Sequence, residues 1–373
     1  MYQFHPLVRQ WFLSRFAAPT ALQTEAWEAA ATGAHLLLTA PTGSGKTLAA
    51  FLWALNRLLT RDLEGGTTRI LYISPLKALN SDVRENLLLP LKELEAVFRN
   101  AGEPCPAIRV LTRSGDTTAN ERQKMLRRPP EVLITTPESL NLLLATSRGT
   151  AALGNVAVVV LDEIHALAAD KRGAHLMSAL ERLQAVAGPF QRIALSATVR
   201  PLERIAAFAG GFATGGQAAV ARPVRILQDA HPRRHHLTVT MPETAGSIWP
   251  DLTARLKEII RANRSTLIFT NSRRLAERLA RLLNEGEAEI LAWAHHGSLS
   301  REIRRAVEER LKAGELRAIV ATSSLELGID IGALDTVVLV QTPPGTAATL
   351  QRLGRANHRV GGESRGVPCP RHG

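Results

Sequence analysis

The sequence predicts an α/β protein of two tandem lobes, each built on a parallel sheet, with a cleft between the lobes. Three observations point there. Short apolar runs alternate with longer helical stretches, the alternation occurs twice, and a Gly-, His- and Arg-rich stretch without helical period separates the two rounds. In the first round the strand candidates are residues 35–40, 69–74, 107–112, 131–135, 155–161 and 191–196, with helical stretches such as 46–59 and 174–185 between them. These runs are apolar nearly throughout, as strands are when helices cover both faces of a parallel sheet. The second round places strands at 266–269, 289–293, 317–321 and 336–340. The expected division is a first lobe over 1–215, a connector over 216–245 with a few irregular strands, and a second lobe over 246–373.

Length and composition fit this reading. A chain of 373 residues can bury two full cores, and 45% apolar against 21% charged residues excludes disorder throughout. Residues 1–16 mix His5, Arg9 and Arg15 among single aromatics, so they do not read as a signal peptide. No run approaches the roughly 20 apolar residues that a membrane span needs. Two cysteines, Cys105 and Cys369, exclude a disulfide framework and a cysteine metal cluster, and fit a reducing cytoplasm. The net charge of +12 is spread along the chain: 23 Lys+Arg against 18 Asp+Glu in residues 1–215, and 23 against 16 in residues 216–373. A polyanion lying across both halves would account for it. Most of the basic residues are arginine, a bias that coding composition produces equally well, so charge alone lends such a partner only modest support.

The chemistry is carried by two segments. Ala40-Pro-Thr-Gly-Ser-Gly-Lys-Thr47 follows an apolar strand and opens a helix, the context that a phosphate-binding loop requires. Gly43 and Gly45 let backbone N–H groups of Thr42 to Lys46, Ser44 among them, turn inward around phosphate oxygens at the positive end of the helix. Lys46 would reach the β- and γ-phosphates of ATP, and the Thr47 hydroxyl would ligate Mg²⁺. In Val158-Val-Val-Leu-Asp-Glu-Ile-His165 an apolar strand ends in two carboxylates. Asp162 can hold Mg²⁺ through its water shell, and Glu163 can orient and deprotonate the attacking water.

Asp-Glu-Ile-His is also where the chain resembles one superfamily, the superfamily 2 DEAD/DEAH-type helicases. The resemblance covers nearly the whole chain and implies two RecA-like P-loop NTPase lobes with the ATP cleft between them. Pro19-Thr-Ala-Leu-Gln23 resembles the glutamine motif, in which Gln23 would bond the adenine edge. Ser74-Pro-Leu-Lys-Ala-Leu79, Gly115-Asp116 and Thr136-Pro-Glu-Ser139 resemble the loops that grip a nucleic-acid backbone, which implies contacts from Ser74, Pro75, Lys77, Gly115, Thr136 and Pro137. Ser196-Ala-Thr198 resembles the motif that couples hydrolysis to strand separation, together with His165 and Gln351. In the second lobe Phe269-Thr-Asn-Ser272, His295-His-Gly297 and Thr322-Ser-Ser-Leu-Glu-Leu-Gly-Ile-Asp330 imply strand contacts from Thr270, Asn271, Gly297 and Thr322, and ATP contacts from Gly328 and Asp330. Gln351-Arg-Leu-Gly-Arg-Ala-Asn-His-Arg359 implies an arginine finger at Arg355. The usual second arginine slot holds His358 and Arg359 follows it, so either could supply the second cation; Arg359 is favoured because a neutral histidine adds little charge.

Phe4-His-Pro-Leu-Val-Arg-Gln-Trp-Phe12 and Asp162-Glu-Ile-His-Ala-Leu-Ala-Ala-Asp-Lys-Arg-Gly-Ala-His175 point within the superfamily to the large helicase-related (Lhr) family. That resemblance implies 3′-to-5′ translocation on single-stranded DNA and opening of DNA or DNA–RNA duplexes, with RNA as another candidate strand, and further domains after the motor. Two other readings use the same motifs: a translocase on duplex that does not open it, and a truncated product that binds nucleic acid with weak ATPase. The second rests on Pro368 and Pro370, which break the apolar strand expected after Arg359.

The remaining features read as structural. Trp27 and Trp53 sit at helical spacing among Ala and Leu and are expected in the core. His231, His235 and His236, with Arg233 and Arg234, read as a solvated connector. His295 and His296 fit a structural role and a strand contact equally well.

Overall fold

The computed structural model describes residues 1–41, 44–75, 77–168, 170–197, 200–213, 219–229, 235–238, 248–326, 334–343, 345–356 and 364–368. The chain forms two compact units, one of Met1–Ala40 with Ser44–Asp229 and one made chiefly of Ala230–Gly373.

In the first unit β1 (His35–Thr39), β2 (Ile70–Ile73), β3 (Val110–Arg113), β4 (Val132–Thr135), β5 (Val158–Leu161) and β6 (Gln191–Ser196) are separated by helices. The two-residue strands β7 (Phe212–Ala213) and β8 (Val220–Ala221) pair antiparallel, and β9 (Val224–Gln228) closes the unit. The large sheet is parallel with strand order β3-β4-β2-β5-β6-β1-β9. Alternate residues of the interior strands enter opposite cores, as a two-residue period demands. Leu36, Leu38, Ile70, Tyr72, Val158 and Val160 join one cluster, and Leu37, Leu71, Ile73, Val159 and Leu161 the other. Both faces are thus buried, which explains the unbroken apolar runs.

In the second unit β10 (His235–Leu237), β11 (Thr266–Phe269), β12 (Ala292–His295), β13 (Ala318–Ala321), β14 (Thr336–Leu339) and β15 (Ser364–Pro368) form a second parallel sheet in the order β10-β15-β14-β11-β13-β12. Matching β10 to β1, β11 to β2 and so on to β15 and β6 reproduces the order of the first sheet, which adds only β9 at its edge. The two units are one topology used twice.

Three expectations are corrected. Residues 224–228, assigned to the connector, are the edge strand β9 of the first sheet, with His35↔Val224 to Thr39↔Gln228 in register. Ahead of β9, Arg222 forks onto Glu181 at 2.8 and 2.7 Å and ties this stretch to the first unit. The strand placed at 289–293 lies at Ala292–His295, because Asn284 Oδ1 accepts from the backbone N–H groups of Leu291 and Ala292 at 2.8 and 3.0 Å and captures the chain before the ladder starts. The sheet also does not stop after Arg359: Ser364–Pro368 lies between β14 and β10. Pro368 is accommodated as the last residue of its strand, opposite Leu339, where pairing to β10 has already ended at Gly366.

Trp27 and Trp53 are core residues as expected. Trp27 is fully buried, donates to the Ala49 carbonyl at 2.9 Å, and takes the edges of Phe4 and Phe12. It joins the N-terminal helices to the helix Lys46–Leu59. Trp27→Ala should therefore lower the stability of the first unit by about 3–5 kcal/mol. Urea denaturation read on that unit's transition checks this; a loss under about 1 kcal/mol would mean the site collapses without cost.

Candidate nucleotide and nucleic-acid site

Parallel pairing gathers the motif loops of the first unit at one sheet edge. Arg113↔Thr135, Thr135↔Ile73, Ile73↔Leu161 and Thr39↔Ser196 are in register, so the segments after β3, β4, β2, β5, β6 and β1 all leave from the carboxyl ends of their strands. In an open parallel sheet that edge is where ligands bind.

Gly45, at φ +77°, caps the helix Lys46–Leu59 without a side-chain hydrogen bond, leaving the helix N-terminus to other partners. A Cβ there would also stand 2.7 Å from Gln23 Nε2. Gln23 closes a capping box with Thr20 and donates to the Gly45 carbonyl at 3.4 Å, so its amide touches the phosphate loop itself. Lys46 and Ser44 are buried, and the Ser44 hydroxyl has no hydrogen-bond partner. Thr47 is half-buried one residue into the helix. Thr42 and Gly43 lie outside the described residues.

At the end of β5 the Asp162 N–H donates to the Ile73 carbonyl at 2.9 Å and extends the ladder by one step. Asp162 and Glu163 are both buried. Burial, then the charge of Glu163, pushes the Asp162 carboxyl up to about 7, against the pull of the Tyr72 hydroxyl and of Lys46. Tyr72 donates to Asp162 Oδ2, and its own phenol is driven well above the usual range by burial and by that carboxylate, so it remains a donor. Glu163 takes a left-handed φ of +46° and opens the short helix Ile164–Leu167. Its Oε2 has no hydrogen-bond partner, although His165 Nδ1 is 3.4 Å away. The Ala197 N–H donates to that nitrogen at 3.3 Å, which makes Nδ1 an acceptor. Burial lowers the His165 pKa, so the ring is neutral and cannot pair with Glu163 as a cation. Ser196 Oγ lies 3.2 Å from the same nitrogen, linking the end of β6 to the Asp-Glu-Ile-His loop. Thr198 lies outside the described residues.

The strand-gripping candidates of this unit are held mostly by backbone. Ser74 N–H donates to the Thr135 carbonyl at 3.0 Å. Arg172 donates to the Pro75 carbonyl at 2.8 Å, and Arg122 to that of Gly115 at 3.0 Å. Thr136 caps the helix Pro137–Leu144 through the Ser139 N–H and is buried, so in this conformation its hydroxyl serves the helix. Gly173, two residues into the helix Lys171–Ala187, has room for nothing larger: a Cβ would lie 2.0 Å from the Leu167 carbonyl. The side chain of Lys77 is not among the described ones.

The second unit uses the same edge differently. Thr270 is buried, its hydroxyl donating to the Ser272 carbonyl. Asn271 accepts from Arg352 at 2.9 Å and donates its side-chain amide to the Thr342 carbonyl at 2.7 Å. Thr322 N–H donates to the His295 carbonyl, and Gly297 is exposed. Gln351 lies half-buried in the helix Thr346–Leu353. Arg355 is buried and donates to the Glu326 carbonyl at 3.2 and 2.9 Å, while Arg352 pairs with the Glu326 carboxylate. His295 sits between Ser324 and Glu308, and His296 bonds Glu277, which gives both structural partners. Gly328, Asp330, His358 and Arg359 lie outside the described residues. Sequence reasoning missed Tyr72, Arg172, Arg352 and Glu326 as partners of the motif residues; all four lie in or beside quoted motifs, but no spacing rule singles them out.

Comparison with known proteins agrees with this arrangement. The DEAD/DEAH box helicase family matches residues 20–205, and the helicase conserved C-terminal domain matches residues 251–361. The Lhr helicase/probable uracil glycosylase of Mycolicibacterium smegmatis is 47% identical over 99% of this chain and 27% of its own length. The ATP-dependent helicase Lhr-Core protein 2 of Thermococcus barophilus is 45% identical over 96% of this chain and 43% of its own. The chain therefore spans between about a quarter and under half of these relatives. The solved structure of Mycobacterium smegmatis helicase Lhr bound to ssDNA and AMP-PNP superposes with a TM-score of 0.88 at 49% identity, covering 99% of this chain and 48% of that one. The DEAD-box helicase Mss116 bound to ssRNA and UDP-BeF, at 19% identity and a TM-score of 0.78, shares the fold.

The raised Asp162 pKa has a measurable sign. Without nucleotide or metal the folded unit holds this proton more tightly than the unfolded chain, so its stabilising contribution is complete below 3.8 and lost as pH rises through about 7. Asp162→Asn, with no proton to lose, should melt above the parent at pH 8 in EDTA, and the gain should shrink at pH 5. Thermal melts at both pH values decide it; a gain independent of pH would remove the buried charge as its cause.

Proposed function

Because the chain belongs to the DEAD/DEAH box helicases, and to the Lhr group among them, we propose that it is an ATP-hydrolysing motor that moves 3′-to-5′ along single-stranded DNA and opens DNA or DNA–RNA duplexes. One observation carries the reading: the loop of Gly45 and Lys46 and the loop of Asp162 and Glu163 leave the same edge of one sheet, with Ser196 on the strand between them. The reading places the protein in the cytoplasm, and the ssDNA and AMP-PNP held by its solved relative support the choice of ligands.

In this mechanism the helix N-terminus at Gly45, with the Ser44 hydroxyl and Lys46, binds the ATP phosphates. Two adjacent buried carboxylates carry more negative charge than Lys46 offsets, a donor set that suits a hydrated divalent cation. Thr47 and Asp162 would hold Mg²⁺, which supplies charge neutralisation on the phosphates. Glu163 presents the unpartnered Oε2 as acceptor for the proton of the attacking water. A neutral His165 keeps that carboxylate from being tied up in an ion pair, and through Ser196 and Ala197 it reports the state of the loop to the end of β6. Arg355, with Arg359 as the second cation, would act on the γ-phosphate after leaving the Glu326 carbonyl.

Glu163→Gln is expected to bind ATP as the parent does and to lose hydrolysis by about 10²-fold or more. Hydrolysis within a few-fold of the parent rules Glu163 out as the base. Polarity is read from matched duplexes with a 3′ or a 5′ single-stranded tail: opening confined to the 3′-tailed duplex is expected, and preference for the 5′ tail refutes the direction. Affinity for single strands should fall with salt at a log–log slope of about −0.7 per phosphate neutralised. A flat response would remove the backbone as the main contact.

A further inference from the structure

We propose that Tyr72 is a positioning residue of the nucleotide site: its phenol fixes the carboxylate of Asp162, and Phe51 of the phosphate-loop helix fixes the phenol. The inference rests on the ATP–Mg²⁺ reading above. Tyr72 lies in the interior strand β2, opposite Val160 of β5, where Leu, Val and Ile fill the neighbouring positions. It is fully buried, as is its ring partner's helix face, and its hydroxyl donates to Asp162 Oδ2. Phe51, five residues after Lys46, stacks on the ring at a centroid distance of 4.8 Å and an interplanar angle of 20°.

Folding alone gives no reason for this pair. A phenol and a carboxylate taken out of water each cost free energy that their mutual bond at best returns, and apolar residues of similar volume would fill the layer as well. What the bond does provide is direction. With one oxygen of Asp162 held by a donor on an interior strand, rotation of the carboxylate is restrained and its other oxygen is given a preferred direction. The flat stack on Phe51 limits the phenol in turn. Phe51, Tyr72 and Asp162 thus link the helix that begins at Lys46 to the carboxylate proposed for Mg²⁺. A partner behind a metal-holding carboxylate commonly governs metal affinity by 10–100-fold.

The test is a MgCl₂ titration of the full chain with a fluorescent ATP analogue, following analogue affinity from EDTA to saturating Mg²⁺. Tyr72→Phe keeps the ring and its stack. It is expected to raise the Mg²⁺ midpoint about 10-fold, leaving affinity in EDTA within about twofold. In an Asp162→Asn background the same substitution should change nothing further, since the carboxylate it positions is gone. Phe51→Leu keeps the hydroxyl but frees the ring; it should move the midpoint the same way by a smaller factor, and it carries the test if Tyr72→Phe does not fold. A Tyr72→Phe midpoint equal to the parent's overturns the proposal. So does an equal loss of affinity with and without Mg²⁺, which would mark a purely structural residue. If the parent itself gains no affinity from Mg²⁺, the ATP–Mg²⁺ reading fails first and the role of Tyr72 falls with it.

Discussion

The parallel hydrogen-bond ladder is the constraint on which the rest depends. Parallel strands in register end together, and every connection must return over a face before the next strand begins. Helices then cover both faces, the strands become apolar throughout, and polar residues concentrate in the loops at the carboxyl edge. The register Thr39↔Ser196 and Ile73↔Leu161 is what sets Lys46, Asp162, Glu163, Ser74 and Ser196 within one group of loops, although they are far apart in sequence. No single loop makes the site; the sheet does.

The electrostatics follow from where those loops begin. Asp162 is still in the ladder, one step beyond β5, so its carboxyl inherits the low-polarity surroundings of the sheet. Burial there, with a second carboxylate beside it, disfavours the charged form, and the Tyr72 hydroxyl and Lys46 only partly offset this. An arrangement that is unfavourable for the protein alone suits the cation and polyphosphate proposed to bind there together. His165 illustrates the same economy of placement: because the Ala197 amide fixes Nδ1 as an acceptor, the ring holds the loop after β6 without neutralising Glu163.

Much of this was legible in the sequence, for reasons that can be named. Apolar runs such as Val158-Val-Val-Leu161 admit few other readings, and Gly45-Lys46-Thr47 stands between a strand and a helix, the context that a phosphate-binding loop requires. A few irregular strands were expected in the connector, but the place of β9 in the first sheet was not legible, because five residues within a Gly-, His- and Arg-rich stretch do not show that they pair with β1. The strand at Ala292–His295 was displaced because the capture of two backbone N–H groups by Asn284 is a contact across a turn that patterning does not register. Pro368 suggested a break, yet it stands as the last residue of its strand, paired on one side only, a position a proline can take. Tyr72 looked like one more apolar strand residue; its partner is ninety positions away.

The second sheet repeats the strand order of the first but carries different residues at its carboxyl edge. β14 corresponds to β5, and where β5 is followed by Asp162 and Glu163, β14 is followed by Val340 and Gln341. Gln341 accepts from the Asn271 N–H at 3.0 Å, and Asn271 in turn engages Arg352, which pairs with Glu326 and lies over the ring of Phe269. The equivalent edge therefore carries amides and arginines in place of carboxylates. Burial raises the Glu326 pKa while Arg352 and Arg355 pull it down, and one carboxylate against two guanidiniums leaves the cluster net positive. A unit with no acid pair after its fifth strand has no base for water at that place, but its arginines are already desolvated. In the finger role proposed for Arg355, exchanging the Glu326 carbonyl for a phosphate oxygen would give it a stronger acceptor without any new cost of leaving water. The two sheets share one strand order, and what differs between them is the sign of the charge placed at the carboxyl edge.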